Sequence, residues 1–134
     1  MNAEAYDIEI GDFRMRWNSK TTDWINSRAS VDEVGSIHTV QGYDLNYAGV
    51  IIGPELFWDP LEQRVRVDRD RYYDTKGKEN NPRLGVVNGE AELYALIVNI
   101  YVVLMTRGML GTYVYVHDDG LRERLREVFG ASLR

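Results

Sequence analysis

The sequence predicts an α/β fold in which a largely parallel sheet packs against helices. Two short runs, Ala48 to Ile52 and Thr112 to Val116, have the length and the β-branched or aromatic composition of strands. Between them, residues 90 to 105 repeat apolar side chains at helical spacing. Because a strand, a helix and a second strand in succession form a parallel unit, these segments define the expected core.

The N-terminal part is expected to begin with strands. Apolar residues alternate with charged ones at Ile8 to Ile10 and Phe13 to Trp17, which predicts one or two strands with a turn or bulge at Gly11-Asp12. Residues 18 to 30 are polar and predict a loop with one helical turn. Its Trp24 is expected to be a core anchor rather than a platform for stacked bases.

The middle of the chain predicts a short strand from Val34 to Thr39 and one helical turn between Val40 and Leu45. A β-hairpin is expected around residues 56 to 68, with strands Leu56 to Asp59 and Arg64 to Asp68. A charged loop follows up to Asn81.

The long helix should begin after Asn88, a plausible N-cap, and end near Met105. It is apolar around most of its circumference, so we expect it to be buried against the sheet. Gly108 stands where a C-cap glycine belongs. A short amphipathic helix containing Leu121 and Leu125 should end the chain.

Composition limits the class of protein. With 134 residues and 44% hydrophobic content, the chain fits a single domain at residues 6 to 130, preceded by a loose segment at 1 to 5. Cysteine is absent, which excludes disulfides and thiolate metal sites. Neither a signal peptide nor a membrane-spanning run is recognisable, so a cytoplasmic location without a membrane partner is expected.

The net charge of -5 argues against a domain that binds nucleic acid through bulk charge alone. A local basic face is possible between positions 61 and 83, where seven cations and five carboxylates leave a charge of +2. A solvated charged hairpin explains this segment equally simply.

Residues 36 to 44 concentrate polar side chains immediately before a strand. Ser36, His38 and Asp44 could be imagined as nucleophile, base and orienting acid, but no G-x-S-x-G elbow accompanies them. His38 and His117 could ligate a metal, but two histidines without a known metal-binding frame are a weak signal. No metal site is therefore predicted.

Two ordered motifs give the strongest functional signal. Residues 36 to 44 read SIHTVQGYD and precede the strand VIIG at 50 to 53. Residues 101 to 108 read YVVLMTRG and precede the strand YVYV at 113 to 116. The first closely resembles motif V of superfamily 1 helicases, and the second resembles their motif VI.

More narrowly, residues 6 to 126 resemble an uncharacterised bacterial family of helicase-type ATPases. That family is related to the helicase domains of Schlafen proteins, and some members also carry a GIY-YIG nuclease domain. The resemblance implies a three-layer RecA-like, P-loop NTPase-like fold of the second-domain type, with the hairpin inserted around 56 to 68.

The resemblance also implies a role for each motif residue. Arg107 would be the arginine finger that reaches the γ-phosphate of ATP, and Thr106 would help to orient it. The nucleotide-facing positions would be Gln41, Gly42 and Asp44, where Asp44 is shorter than the Glu of related helicases. Ser36, His38 and Thr39 would face the nucleic acid or couple it to the nucleotide.

The chain also departs from a complete helicase. It has no G-x-x-x-x-G-K-[ST] motif and no recognisable Walker B acidic pair. ATP and Mg²⁺ would therefore be bound mainly by an upstream RecA-like domain, with single-stranded nucleic acid as a further partner. The chain alone is not expected to hydrolyse ATP.

Two other interpretations stay open from the sequence. The chain could be a non-catalytic module that binds nucleic acid or protein through the hairpin and the segment from Arg64 to Arg83. Alternatively, Arg107 could simply cap its helix and pair with Asp44 or Glu55.

Overall fold

The computed structural model describes residues 5–73, 78–79 and 89–130. The chain divides into two compact units, Met1–Tyr43 and Asp44–Arg134, so the division falls inside the first motif. The predicted N-cap Asn88 and part of the predicted charged loop, residues 74 to 77 and 80 to 81, lie outside the described residues.

The N-terminal unit contains a small mixed sheet and one helical turn. Its strands are β1 (Ile8–Ile10), β2 (Phe13–Trp17) and β3 (Glu33–Val34), and its helical turn is α1 (Ile37–Val40). Strand β2 lies in the middle, antiparallel to β1 and parallel to β3. The predicted turn between β1 and β2 is confirmed, with Gly11 at a positive φ of 58°.

The predicted strand from Val34 to Thr39 is wrong in extent. The strand ends at Val34, and the helical turn spans Ile37–Val40 rather than following Val40. The Ser36 carbonyl accepts hydrogen bonds from the Thr39 and Val40 amides at 3.0 and 3.2 Å, which starts the turn early.

Trp24 is buried, as predicted, with 8% of its surface exposed. The loop around it forms two short 3-10 turns, Trp24–Asn26 and Arg28–Asp32, where the sequence predicted one helical turn.

The C-terminal unit contains a parallel strand pair, a hairpin and two helices. Its elements are β4 (Leu45–Ile52), β5 (Leu56–Asp59), β6 (Arg64–Val67), α2 (Glu90–Met105), β7 (Gly108–Val116) and α3 (Asp119–Phe129). Strands β4 and β7 are parallel neighbours, and β5 and β6 form the predicted antiparallel hairpin. The predicted strand, helix and strand unit is therefore confirmed.

The core of this unit lies between the parallel pair, the hairpin and the helices. Its buried members are Val50, Ile52, Leu56, Val67, Leu93, Ile97, Val116 and Leu121. Only one side of α2 is buried, because Tyr94, Leu96 and Val102 remain exposed. The predicted packing of this helix against the sheet is confirmed for the side that carries Leu93 and Ile97.

The α/β class is confirmed, but the sheet is not largely parallel. The described strands form three small sheets, with two parallel and two antiparallel strand pairs. The three-layer RecA-like arrangement stays a prediction. Within the described residues, each helix is too short or too polar to cross a membrane.

Candidate functional site

The register of the parallel pair brings Asp44 and Arg107 to the same edge. Leu45 pairs with Gly108, and each is the first residue of its strand. The residues before them, Asp44 and Arg107, therefore enter the sheet side by side. The Leu45 amide donates a hydrogen bond of 2.9 Å to the Arg107 carbonyl, which fixes the two backbones together.

The Arg107 side chain is held by its own helix. Its Nε donates to the Val103 carbonyl at 3.1 Å, and its Nη2 lies 3.4 Å from the Thr106 hydroxyl oxygen. Thr106 in turn donates to the same Val103 carbonyl at 2.9 Å. Two side chains thus cap the C-terminal end of α2, where carbonyl groups lack helical partners.

The remaining nitrogen of Arg107 lies near Asp44. Nη1 lies 3.9 Å from the Asp44 carboxylate, and the Arg107 side chain is 24% exposed while that of Asp44 is 72% exposed. An ion pair this long and this exposed is weak, so it leaves Nη1 accessible to a stronger anion. The capping and pairing with Asp44 that the sequence left open are both present.

A β-bulge just after Arg107 shapes this edge. Between Leu45 and Tyr47 on β4, the partner strand advances from Gly108 to Gly111, which is one residue more. Gly108 does not have a positive φ, so its predicted role as a C-cap glycine is wrong. Glycine is needed there because a Cβ atom would collide with the Gly111 carbonyl and lie 2.8 Å from Thr112 Oγ1.

Thr112, which was not predicted as a site residue, lies at the same edge. Its hydroxyl donates to the Met105 carbonyl at 2.9 Å and so satisfies another group at the end of α2. The G-x-x-x-T spacing from Gly108 to Thr112 is the available signal, but it is meaningful only once the bulge is known.

In the N-terminal unit, residues 36 to 42 form one tight turn. Gln41 donates its amide to the Ile37 carbonyl at 3.0 Å, and Gly42 ends the turn with a φ of 84°. His38 and Gln41 lie on the surface, whereas Thr39 is buried and its hydroxyl donates to the Ser36 carbonyl at 2.9 Å. Thr39 thus contributes to the shape of the turn.

The buried carboxylate of Glu33 binds Trp24, whose ring lies close to Gly35 at the start of this turn. Glu33 accepts hydrogen bonds from the Trp24 indole at 2.7 Å and from the Ser19 amide at 3.2 Å. Bonds from the Ser19 side chain and from Trp24, together with the charge of Arg16, lower the pKa of Glu33 despite the opposing effect of burial.

The Trp24 ring packs closely against the backbone at the start of the turn. A Cβ atom at Gly35 would lie 2.6 Å from the ring and 2.9 Å from the Thr39 hydroxyl, so only glycine fits between them. The Ser36 amide donates to Asn18 Oδ1 at 3.1 Å. Glu33 could not be predicted from the sequence, because acidic residues are rarely buried.

A polar pair lies at the opposite edge of the parallel pair. The Tyr101 hydroxyl donates to the buried Glu55 carboxylate and accepts from the Gly53 amide at 3.1 Å. Burial and the Glu55 charge raise the pKa of Tyr101 well above its usual range. The sequence left Asp44 and Glu55 as alternative ion-pair partners of Arg107. Glu55 instead accepts a hydrogen bond from Tyr101.

The arginines of the hairpin have acidic neighbours. Arg66 lies 3.2 Å from Asp59 and 3.1 Å from Glu90, so it ties the hairpin to α2. Both contacts raise the pKa of Arg66. Ion pairs also join Arg64 to Glu62 and Arg71 to Asp68. Among the described residues, Arg64, Arg66 and Arg71 are therefore each balanced by a neighbouring carboxylate.

The other chemistries considered from the sequence gain no support. A hydrolase would need the Asp44 carboxylate to orient a histidine. The Asp44 carboxylate instead lies beside Arg107. Within residues 5–73, 78–79 and 89–130, no three metal-ligating side chains cluster.

The predicted site residues thus fall into two groups. The C-terminal unit brings together Asp44, Thr106 and Arg107. The N-terminal unit places Ser36, His38, Thr39, Gln41 and Gly42 on one turn. The guanidinium of Arg107 fits contact with one phosphate group, but the first group has no lysine or hydroxyl set of the kind that cradles a triphosphate.

Comparison with known proteins identifies the family. A relative named Uncharacterized protein YPL245W, from Saccharomyces cerevisiae, is 39% identical over an alignment of 132 positions that covers 93% of this chain. The chain spans 28% of that relative's length. No solved structure matches the chain. The family model described as Schlafen group 3, DNA/RNA helicase domain, matches residues 1–118, so the chain belongs to this helicase-related family.

Proposed function

We propose that the chain is the C-terminal part of a nucleic-acid-dependent ATPase of the superfamily 1 helicase type. In this proposal, residues 36 to 44 are motif V and residues 101 to 108 are motif VI. ATP and Mg²⁺ are bound mainly by an upstream RecA-like domain, and the protein acts in the cytoplasm on single-stranded nucleic acid. Family membership and the geometry of Arg107 support the proposal.

The fixed position of Arg107 is the observation on which this proposal rests. Cleavage of the γ-phosphate develops charge on its oxygens, and a cation that is already in place stabilises that charge without reorganisation. Arg107 is held through Val103 and Thr106, while its Nη1 stays accessible. A side chain with this restraint matches the role of an arginine finger.

Asp44 and Thr106 act as positioning residues in this proposal. The exposed Asp44 carboxylate balances the charge of Arg107 in the absence of nucleotide. A phosphate carries more charge than a carboxylate, so it competes well for Nη1 against an ion pair of 3.9 Å.

The turn in the N-terminal unit supplies the remaining residues. Gln41 and Gly42 are proposed to face the nucleotide, and Ser36 and His38 to face the nucleic acid. Because Thr39 is buried, its proposed coupling role acts through the shape of the turn rather than through direct contact.

The test is the ATPase activity of the full-length protein as its gene encodes it. We expect Arg107→Ala to lower kcat by roughly 10³-fold or more while nucleotide binding changes little, because the finger acts in the transition state. Arg107→Lys should restore little, since lysine cannot make the bonds of a guanidinium fork. Arg126→Ala is the matched control, because Arg126 is a surface arginine paired with Glu123.

Unimpaired turnover in Arg107→Ala would refute the finger assignment. A loss of turnover that is matched by an equal loss of nucleotide binding or of thermal stability would instead assign Arg107 a purely structural role.

A further inference from the structure

The Glu55 carboxylate and the Tyr101 hydroxyl join α2 to the segment between β4 and β5. Glu55 is buried, with 7% of its surface exposed, and its carboxylate accepts a hydrogen bond from the Tyr101 hydroxyl. The same hydroxyl accepts from the Gly53 amide at 3.1 Å, at the residue that directly follows β4. A single side chain of α2 thus satisfies two polar groups of this segment.

The segment between β4 and β5 leaves space for this contact and is fixed to the hairpin. A Cβ atom at Gly53 would collide with Glu55 Oε2, so the carboxylate occupies the place of a side chain at that position. The Glu55 carbonyl accepts from the Asp68 amide at 2.7 Å, at the residue that directly follows β6. Glu55 is therefore held by the hairpin through its backbone and by α2 through its side chain.

The contact depends on the Tyr101 hydroxyl rather than on the ring. Burial and the charge of Glu55 raise the pKa of Tyr101 above its usual range, so the hydroxyl keeps its proton at neutral pH and remains a donor. Removing the partner of a buried charge is strongly unfavourable, because the charge is then left without compensation. Phenylalanine at position 101 would fill the same space but would deprive both the Glu55 carboxylate and the Gly53 amide of this partner.

Tyr101 lies in the part of α2 that also holds Arg107. Val103, two residues after Tyr101, provides the carbonyl that accepts from Arg107 Nε at 3.1 Å. The Arg107 carbonyl accepts from the amide of Leu45, the first residue of β4. The end of α2 is thus attached at one end of β4 through Tyr101 and at the other end through Arg107. Because the guanidinium is bonded to Val103, it would move with the helix if the attachment through Tyr101 were lost.

We propose that Glu55 and Tyr101 are positioning residues, which hold the end of α2 so that the Arg107 guanidinium is in place for catalysis. The proposal rests on the proposed function, because it requires Arg107 to act as the arginine finger. Glu55 and Tyr101 meet at the opposite edge of the strand pair from Arg107, so they act through α2 and not by contact with the nucleotide. Displacing a group that acts in the transition state lowers turnover more than it lowers substrate binding.

Steady-state ATPase kinetics of the full-length protein, as its gene encodes it, test the positioning role. We expect Tyr101→Phe to lower kcat roughly tenfold or more, while the KM for ATP changes less than about threefold. In an Arg107→Ala background the same substitution should lower kcat by less than about twofold, because no finger is left to displace. Tyr94→Phe is the matched control, since Tyr94 is an exposed tyrosine of the same helix, and it should leave kcat unchanged.

Glu55 provides a second pair of variants. Glu55→Gln has the same size and keeps an oxygen that accepts from the Tyr101 hydroxyl, so its kcat should stay within about threefold of the parent. Glu55→Ala removes the acceptor and should lower kcat as much as Tyr101→Phe does. Recovery of activity in Glu55→Gln relative to Glu55→Ala would show that the hydrogen bond to Tyr101, and not the charge of Glu55, carries the effect.

Hydrogen exchange in the 134-residue chain gives a readout that does not involve ATP. The Leu45 amide, which donates to the Arg107 carbonyl at 2.9 Å, reports whether the end of α2 stays attached to β4. The Arg122 amide, which donates to the Asp118 carbonyl at 3.0 Å in α3, is the control for general loss of stability. We expect Tyr101→Phe to speed exchange at Leu45 roughly fivefold more than at Arg122, because global unfolding affects both amides alike and local opening does not.

These measurements separate the positioning role from the finger assignment. Unimpaired turnover in Arg107→Ala would refute the finger assignment and the positioning role with it. If Arg107→Ala abolishes turnover, three results would overturn the positioning role alone. They are an unchanged kcat in Tyr101→Phe, an equal loss of kcat in the parent and Arg107→Ala backgrounds, and equal acceleration of exchange at the Leu45 and Arg122 amides.

Discussion

Gly108→Ala tests whether the bulge after Arg107 is required by packing. The new Cβ atom would collide with the Gly111 carbonyl and come within 2.8 Å of Thr112 Oγ1, which is well inside ordinary contact distance. Overpacking of this kind costs roughly 1–3 kcal/mol. Displacing the Thr112 hydroxyl from the Met105 carbonyl adds about 1 kcal/mol.

We therefore expect a loss of about 2–4 kcal/mol, measured as a shift of the urea unfolding midpoint. Thr112→Val should reproduce only the hydrogen-bond part, about 1 kcal/mol. Met109→Ala is the control at the same bulge, since Met109 is largely exposed, and its effect should stay within about 0.5 kcal/mol. If Gly108→Ala costs no more than Met109→Ala, the steric argument for the bulge is wrong.

Two further predictions address the supports of the two units. Because the pKa of Glu33 is lowered, its contribution to stability is complete above the unfolded value near 4.5 and is lost as the pH falls through the lower folded value. Glu33→Gln should therefore flatten the acid-induced loss of hydrogen-exchange protection at the Thr39 amide, and an unchanged acid profile would contradict this. Asp118 caps α3 at 2.8 Å and accepts from the Trp58 amide at 3.1 Å, so Asp118→Ala should cost about 2–4 kcal/mol in urea unfolding. Its exposed neighbour Asp119 should cost less than about 1 kcal/mol when replaced by Ala, and equal losses would refute the capping argument.

The sequence predicts best where one local pattern decides the structure. The alternation at Phe13 to Trp17 and the hairpin at residues 56 to 68 are confirmed because side-chain period and turn residues agree there. The helix ending at Met105 is confirmed because its apolar spacing continues over four turns.

The sequence predicts less well where tertiary contacts decide. Val34 to Thr39 reads as a strand by composition, but Gly35 must pack against Trp24, and this close approach ends the strand early. Gly108 resembles a helix cap in sequence, yet its backbone conformation is that of a strand that passes close to Gly111. Both errors arise because each glycine is required by a residue that it contacts in the folded structure. Local sequence preference does not reveal such a contact.

The position of Arg107 depends on the same kind of contact. The core pairs Val50 with Val114 and Ile52 with Val116, so the far ends of β4 and β7 are fixed by burial. Between those ends and the edge, β7 contains one residue more than β4. If the same residues paired regularly, without a bulge, Gly108 would lie opposite Asp44. Arg107 would then lie one residue, or about 3.3 Å, beyond Asp44 along the strand. A bulge beside a functional edge commonly re-aims a side chain, and here it keeps Arg107 level with Asp44 while the core stays in register.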